Sequence, residues 1–174
     1  MTSADQDAQA GIDALRHGDS AGARDALARA VQRGRADNFV LVNLAQACRN
    51  LGDRAGAAAA LDYLLRTEPK NLVALIQRGD LYHEAGDTRS AASFYRMALR
   101  VAPPASQLSA AVFQDVRRIQ ARVEQYGADY KRFLRERLAQ AGFDPATSSR
   151  RFADSLDVVL GEKTIYVQQP KYYY

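Results

Sequence analysis

Residues 72–103 read LVALIQRGDLYHEAGDTRSAASFYRMALRVAP, and the small and turn-forming residues of this stretch recur upstream at intervals of 34 positions. A Gly-Asp pair occurs three times with this spacing, at Gly18-Asp19, Gly52-Asp53 and Gly86-Asp87. Five further columns share the spacing: Gly11, Ala45 and Gly79; Ala23, Ala57 and Ala91; Leu27, Leu61 and Tyr95; Val31, Leu65 and Leu99; Pro69 and Pro103. A period of this length predicts stacked copies of one helical unit.

Each column fits a position in a pair of helices. Glycine before the aspartate tolerates the left-handed backbone that ends a first helix, and proline stops the second helix because it cannot donate to its ladder. The columns of glycine and alanine would let two helices approach closely. Between these positions the apolar residues follow helical spacing, as at Leu41, Leu44, Ala45 and Cys48.

This pattern resembles the tetratricopeptide repeat (TPR), a helix–turn–helix unit of 34 residues. The repeats are predicted at 4–37, 38–71 and 72–105, so that residues 1–105 form one solenoid. The first repeat departs from the pattern, because Asp7 replaces a large apolar residue and Arg35 replaces the proline. It is interpreted as a degenerate capping repeat. An alanine-rich helical bundle without true repeats is the alternative.

Two amphipathic stretches follow the repeats, and they predict a capping helix pair over 106–142. Ser106 is the expected N-cap of the first helix. Its apolar stripe should cover the open face of the third repeat through Leu108, Val112, Val116, Ile119, Val123 and Tyr126. After Gly127 a second helix is expected, with an apolar face of Tyr130, Phe133, Leu134, Leu138 and Ala141.

The last part of the chain predicts a short linker helix over 143–161 and a strand-like tail over 162–174. Residues 149–161 and 166–174 resemble the junction between TPR repeats and the catalytic domain of bacterial aspartyl/asparaginyl β-hydroxylase-like proteins. The resemblance implies that 162–174 begins a truncated β domain of a longer parent enzyme using Fe(II) and 2-oxoglutarate. The tail is expected to dock on a neighbour, so that the chain self-associates, or to be disordered. The expected fold class is thus an all-α TPR solenoid with C-terminal capping helices and a short β-like tail.

Composition and charge exclude several classes of protein. The chain has 174 residues, 47% of them apolar, with one cysteine and two histidines, so neither a disulfide framework nor a histidine-rich metal centre is expected. No apolar run is long enough for a membrane span and the N-terminus does not resemble a signal peptide, which favours a cytoplasmic protein. Ten basic and five acidic residues fall within 100–151. A solvated helix face explains them better than a nucleic-acid site, since interleaved aromatic residues are missing.

The first helix of each TPR pair lines the inner groove, which predicts where a protein or peptide ligand binds. The candidates in the second and third repeats are Phe39, Val42, Asn43, Gln46, Arg49, Val73, Ile76, Gln77, Asp80 and His83. One TPR subset clamps the C-terminal carboxylate of heat-shock chaperones with basic and amide side chains. Only Asn43 matches that set, because Ala8, Ile12, Val73 and Gln77 occupy the other positions. The groove therefore favours a more apolar peptide or a neighbouring helix.

The sequence thus predicts a protein–protein interaction module, the N-terminal docking region of a β-hydroxylase-like protein. A free-standing TPR adaptor or scaffold is the alternative. No catalytic, cofactor or metal residue is assigned in this chain, so the chain itself is expected to be inert as an enzyme. Cys48 is expected to be a buried structural thiol. His83 and Glu84 either contact a ligand or are solvated polar residues.

Overall fold

The structure of the chain is a computed structural model, which describes residues 2–142. Seven α-helices and one short 3-10 helix occur in this range. They are α1 (Ser3–Arg16), α2 (Ser20–Gln32), α3 (Asn38–Asn50), α4 (Arg54–Thr67), α5 (Leu72–Glu84), α6 (Thr88–Val101), the 3-10 turn Ala105–Gln107, and α7 (Ala110–Gln140). The chain divides into two compact units, residues 1–126 and 127–174. The predicted elements over 143–161 and 162–174 lie outside the described residues.

The first six helices form three successive antiparallel pairs, and each helix packs against its neighbours in sequence. The Gly-Asp positions explain how the pairs turn. Gly18, Gly52 and Gly86 have φ angles of +80°, +74° and +80°, a region where a side chain would be strained. The following aspartate then caps the next helix: Asp19, for example, accepts a 2.8 Å hydrogen bond from the amide of Gly22.

The small-residue columns lie where the helices of each pair approach most closely. Ala57 and Ala91 are 1% and 2% exposed, which confirms their predicted burial. The bulky column residues Leu27, Leu61 and Tyr95 are buried as well. The core is accordingly three apolar clusters arranged along the chain rather than one centre. The predicted all-α helical repeat is confirmed.

The atypical residues of the first repeat make ion pairs at the surface. Asp7 is paired with both Arg29 and Arg33 of α2. Arg35, which stands where later repeats have proline, donates hydrogen bonds to Asp5 at 2.9 Å and to Asp37 at 3.0 Å. Polar contacts thus replace an apolar one in the first repeat.

The predicted capping helix pair over 106–142 is not observed, because one helix, α7, runs from Ala110 to Gln140. Ser106 is not its N-cap but lies in the 3-10 turn that follows the two prolines. Ser109 instead accepts a 3.4 Å hydrogen bond from the amide of Val112. Gly127 does not interrupt the helix, since a single helical glycine costs only about 1 kcal/mol and no proline follows it.

Candidate functional site

A cleft of about 460 Å³ lies within residues 1–126, between the first helices of the second and third pairs and the N-terminal half of α7. Helix α3 contributes Gln46 and Arg49, helix α5 contributes Val73, Ile76, Gln77 and Asp80, and α7 contributes Val112, Asp115, Arg118 and Arg122. Helix α7 is therefore one wall of this cleft, and not only a cover for the third pair of helices.

Ile119 attaches this wall to the repeats. It is fully buried and shares an apolar cluster with Leu75, Ile76 and Tyr95. Val116 and Val123, one turn to either side, are half-buried against the same cluster. The predicted apolar stripe thus covers the third repeat from Val116 onward, whereas Val112 lines the cleft and Leu108 precedes the helix.

Asp80 is the polar centre of the cleft, and it is only 4% exposed. Arg118 donates to both of its carboxylate oxygens, at 2.6 and 3.0 Å. Arg122 donates to Oδ1 at 3.1 Å, and the hydroxyl of Tyr95 donates to the same oxygen at 2.7 Å. Arg49 Nη1 lies 3.7 Å from Oδ2. The buried carboxylate thus holds side chains from α3, α6 and α7 together.

The protonation states of this network follow from its contacts. Burial alone would raise the pKa of Asp80, but the hydrogen bonds from Arg118 and Tyr95 outweigh it and hold that pKa below the usual value. Burial, followed by the bond to the Asp80 carboxylate, raises the pKa of Tyr95 to about 12. At neutral pH the carboxylate is therefore charged and the phenol is neutral.

Two further acidic side chains pair with arginines at the edges of the cleft. Asp115, one turn before Arg118 on α7, accepts a 2.8 Å hydrogen bond from Arg118 Nη2. Glu84 accepts a 2.8 Å hydrogen bond from Arg49 Nε. Sequence analysis left Glu84 as either a ligand contact or a solvated residue, and in the structure it pairs with Arg49. His83 is exposed in the last turn of α5 and does not line the cleft.

Six of the ten predicted groove residues line the cleft, and four lie elsewhere. The six are Gln46, Arg49, Val73, Ile76, Gln77 and Asp80. Phe39 is 56% exposed at the start of α3, and Asn43 donates a 2.7 Å hydrogen bond to the Phe39 carbonyl in the same helix. Val42 packs against the cluster around Leu41. The structure therefore shifts the candidate site toward α5 and α7.

Sequence reasoning missed the α7 side of the cleft. Arg118 and Arg122 lie off the apolar stripe, where a charged side chain is usually solvated. Their partner, Asp80, is 38 positions before Arg118, and no local spacing relates the two. The sequence contains only a weak indication of this contact: an aspartate on the inner face of α5 needs a cationic partner once α7 covers it.

Solved structures share this arrangement of helices. The TPR domain of Sgt2 from Aspergillus fumigatus superposes with a TM-score of 0.60 and 19% identity, over 74% of this chain and 83% of that chain. The chain has the fold of a TPR domain. No protein-family model matches the sequence, and no curated protein is significantly similar to it.

Two further TPR domains were solved with peptides. The TPR2B domain of yeast Sti1, in a complex with an Hsp70 peptide, gives a TM-score of 0.61 with 18% identity, over 71% of this chain and 97% of that one. The first TPR domain of Spaghetti (RPAP3), bound to the HSP90 peptide SRMEEVD, gives 0.56 with 17% identity, over 68% and 93%. At such identities the likeness establishes the fold of this chain, and not its ligand.

Neither a cluster of potential metal ligands nor a membrane-spanning helix occurs among the described residues. Within 2–142, no three His, Cys, Asp or Glu side chains lie together as metal ligands would. In the same range no helix is both long and apolar enough to cross a bilayer. Cys48 is buried, and burial together with the nearby Asp53 carboxylate raises the pKa of its thiol, which disfavours the reactive thiolate.

Proposed function

We propose that this chain is a protein–protein interaction module that binds an extended peptide segment of a partner protein in the cleft between α3, α5 and α7. The observation that carries the proposal is the cleft itself, about 460 Å³ in volume, with aliphatic side chains and preorganised polar groups facing the same space. Rigid helices hold these groups in place before any ligand arrives, which lowers the entropic cost of binding. Two TPR neighbours in complexes with chaperone peptides support a peptide as the kind of ligand.

The ligand proposed for this cleft differs from a chaperone tail. The predicted carboxylate-clamp positions carry Ala8, Ile12 and Val73, and Asn43 bonds to its own helix. The arginines of this cleft instead come from α3 and from α7. Binding at α5 and α7 therefore calls for a partner sequence with its own pattern of charge and apolar residues.

The attachment of this module to a β-hydroxylase-like oxygenase stays a prediction from the sequence. It rests on residues 149–161 and 166–174, which lie outside the described residues, and no comparison adds support. Within 2–142 the histidines His17 and His83 stand on α1's C-terminal cap and on α5, and neither belongs to a cluster of potential metal ligands. The interaction function does not depend on the oxygenase, because an adaptor without an enzyme would use the same cleft.

Site-specific photo-crosslinking tests the proposal. Benzoylphenylalanine is placed either at Gln77, which lines the cleft, or at Tyr63 of α4, which is 42% exposed and does not line it. In cells of the source organism, irradiation should give a defined protein adduct from position 77 and none from position 63. Equal adducts from both positions, or none from position 77, would contradict docking in the cleft.

A further inference from the structure

The cleft has an apolar end and a cationic end. On α5 the aliphatic residues Val73 and Ile76 come before Asp80, and on α7 Val112 comes before Arg118 and Arg122. Asp80, one turn after Ile76, contacts both arginines, which follow Val112 on α7. The two walls therefore change from aliphatic to charged in the same direction.

Arg122 lines the cleft and retains donors that bond to no other residue in the described part of the chain. Its Nη1 bonds to Asp80 and to the Tyr95 hydroxyl, at 3.1 and 2.8 Å, but its Nε and Nη2 make no hydrogen bond with another residue in the described part of the chain. Those two nitrogens carry three N–H donors in the planar fork that suits a carboxylate. The bonds to Asp80 and Tyr95 fix the guanidinium, so little side-chain entropy remains to be lost on binding.

The charge of the lining is not balanced. Arg49, Arg118 and Arg122 face the cleft with Asp80 and Asp115, which leaves one positive charge among the lining residues. Glu84 pairs with Arg49 but is not part of the lining. Because Glu84 offsets Arg49, the site is close to neutral, and a singly charged carboxylate suits it better than a phosphoryl group, which brings about 1.5 to 2 negative charges.

The distance between the two ends sets the spacing of a ligand. Val73 and Asp80 are seven residues apart on α5, which corresponds to about 10 Å at the rise of an α-helix. An extended peptide covers about 3.3 Å per residue, so about three residues span that length. A peptide that fills both ends would have its charged and aliphatic side chains about three positions apart.

The geometry points to a partner peptide whose Asp or Glu side chain binds Arg122 and whose aliphatic side chain, three positions away, lies against Val73, Ile76 and Val112. This inference rests on the proposed function, since it names the ligand of the same cleft. Arg122 is the ligand-binding residue, and Asp80 is a positioning residue that acts through Arg122 and Arg118.

Selection from random internal 12-residue peptides displayed on phage, with the full chain as bait, tests the inference. We expect enriched peptides to carry an acidic residue three positions from Leu, Ile or Val, in either order. Enrichment of aliphatic residues without acidic ones would overturn this inference and leave the proposed function standing. Failure to select any peptide, together with no crosslink from position 77, would contradict both.

Binding of one selected peptide, synthesised with acetyl and amide ends, then tests the role of Arg122. Arg122→Gln should weaken binding about tenfold or more, the effect of losing a charge-assisted hydrogen bond, and should remove the preference for the acidic peptide over its Gln-substituted form. Arg117→Gln is the matched control, because Arg117 is exposed on the same helix, five residues before Arg122, and does not line the cleft. Thermal unfolding should show both variants folded.

Two outcomes would overturn the assignment of the carboxylate. One is an equal affinity of wild-type protein and Arg122→Gln for the acidic peptide. The other is binding that requires a free C-terminal carboxylate, so that the amidated peptide loses affinity. Arg122→Lys supplies a further readout: it retains the charge but not the planar fork, and it should restore part of the lost affinity.

Discussion

Gly79 of α5 faces the ring of Tyr95 of α6 so closely that a Cβ atom added at Gly79 would lie 2.5 Å from Cε1 of the tyrosine. The same column of the first repeat shows the same relation, since a Cβ at Gly11 would lie 2.5 Å from Cγ of Leu27. Glycine at positions 11 and 79 is thus a requirement of helix packing, and the large residue opposite each one fills the space that glycine leaves, whereas the second repeat accommodates Ala45 in this column.

Gly79→Ala should lower the free energy of unfolding by about 1–2 kcal/mol, because overpacking costs more than the gain in helix propensity. Gly127→Ala is the matched control, since a Cβ there meets no atom within 4 Å. That variant should gain about 0.5–1 kcal/mol. Urea unfolding of both variants measures the difference. If Gly79→Ala stabilises the protein as much as Gly127→Ala does, the close packing against Tyr95 is wrong.

Asp80→Asn should destabilise the protein by about 1–3 kcal/mol, because it removes the carboxylate that satisfies Arg118 and Arg122. Both arginines are one-third exposed, so water limits the loss. Asp62→Asn is the control, because Asp62 is 53% exposed and pairs with Arg78 at the surface. It should cost less than about 1 kcal/mol. An equal loss in free energy of unfolding in the two variants would contradict the central role of Asp80.

The difference in free energy of unfolding between wild-type protein and Asp80→Asn should depend on pH. The pKa of Asp80 is lower in the folded state than in the unfolded chain, so the unfolded state binds more protons in this range. The stabilisation is therefore complete above the unfolded pKa, about pH 4, and is lost as the pH falls through the lower folded value. Urea unfolding at pH 7 and pH 3 measures it. A constant difference between the two proteins at both pH values would contradict the paired carboxylate.

Ile119→Ala should destabilise the protein by about 2–5 kcal/mol, because the side chain is fully buried in the cluster of the third repeat. Val112→Ala is the comparison, since Val112 is half-buried and lines the open cleft. Val112→Ala should lower the stability of the protein clearly less than Ile119→Ala does. Thermal unfolding of both variants tests whether α7 is attached mainly through Ile119. Similar losses would place the attachment elsewhere on the helix.

Cys48 should not react with a thiol reagent in the folded protein, because it is 3% exposed and its pKa is raised by burial. Release of chromophore from Ellman's reagent should follow only after addition of urea. The control is a Cys48→Ala, Arg117→Cys double variant, whose single thiol is exposed and should react at once. Fast reaction of native Cys48 would contradict its place in the core.

The spacing of the sequence was sufficient to predict the helix pairs, because each pair depends on contacts within about 34 residues. One local packing arrangement is repeated three times. It is indicated by the columns that include Ala57 and Ala91 and by the turn at each Gly-Asp pair. A repeated signal outweighs the ambiguity of any single helix. The same logic correctly placed Ile119 on the apolar face of α7.

The cleft was predicted only on its inner side, since its other wall depends on contacts distant in sequence. Nothing near Arg118 or Arg122 indicates that Asp80 will lie opposite them, and a charged residue off an apolar stripe is usually solvated. The continuity of α7 was missed for a different reason. Gly127 weakens a helix only slightly, so a break could not be distinguished from a tolerated glycine.

The main-chain hydrogen bonds and the aspartate caps that close each turn between paired helices join atoms of that pair. The amide of Gly56, for example, bonds to Asp53 at 2.8 Å, and the amide of Ser90 bonds to Asp87 at 2.9 Å. These bonds do not depend on the number of helix pairs before or after the turn. Duplication of residues 38–71 in the gene would add one whole unit that carries its own turn and its own aspartate cap. The number of helix pairs that the gene encodes can therefore change by recombination.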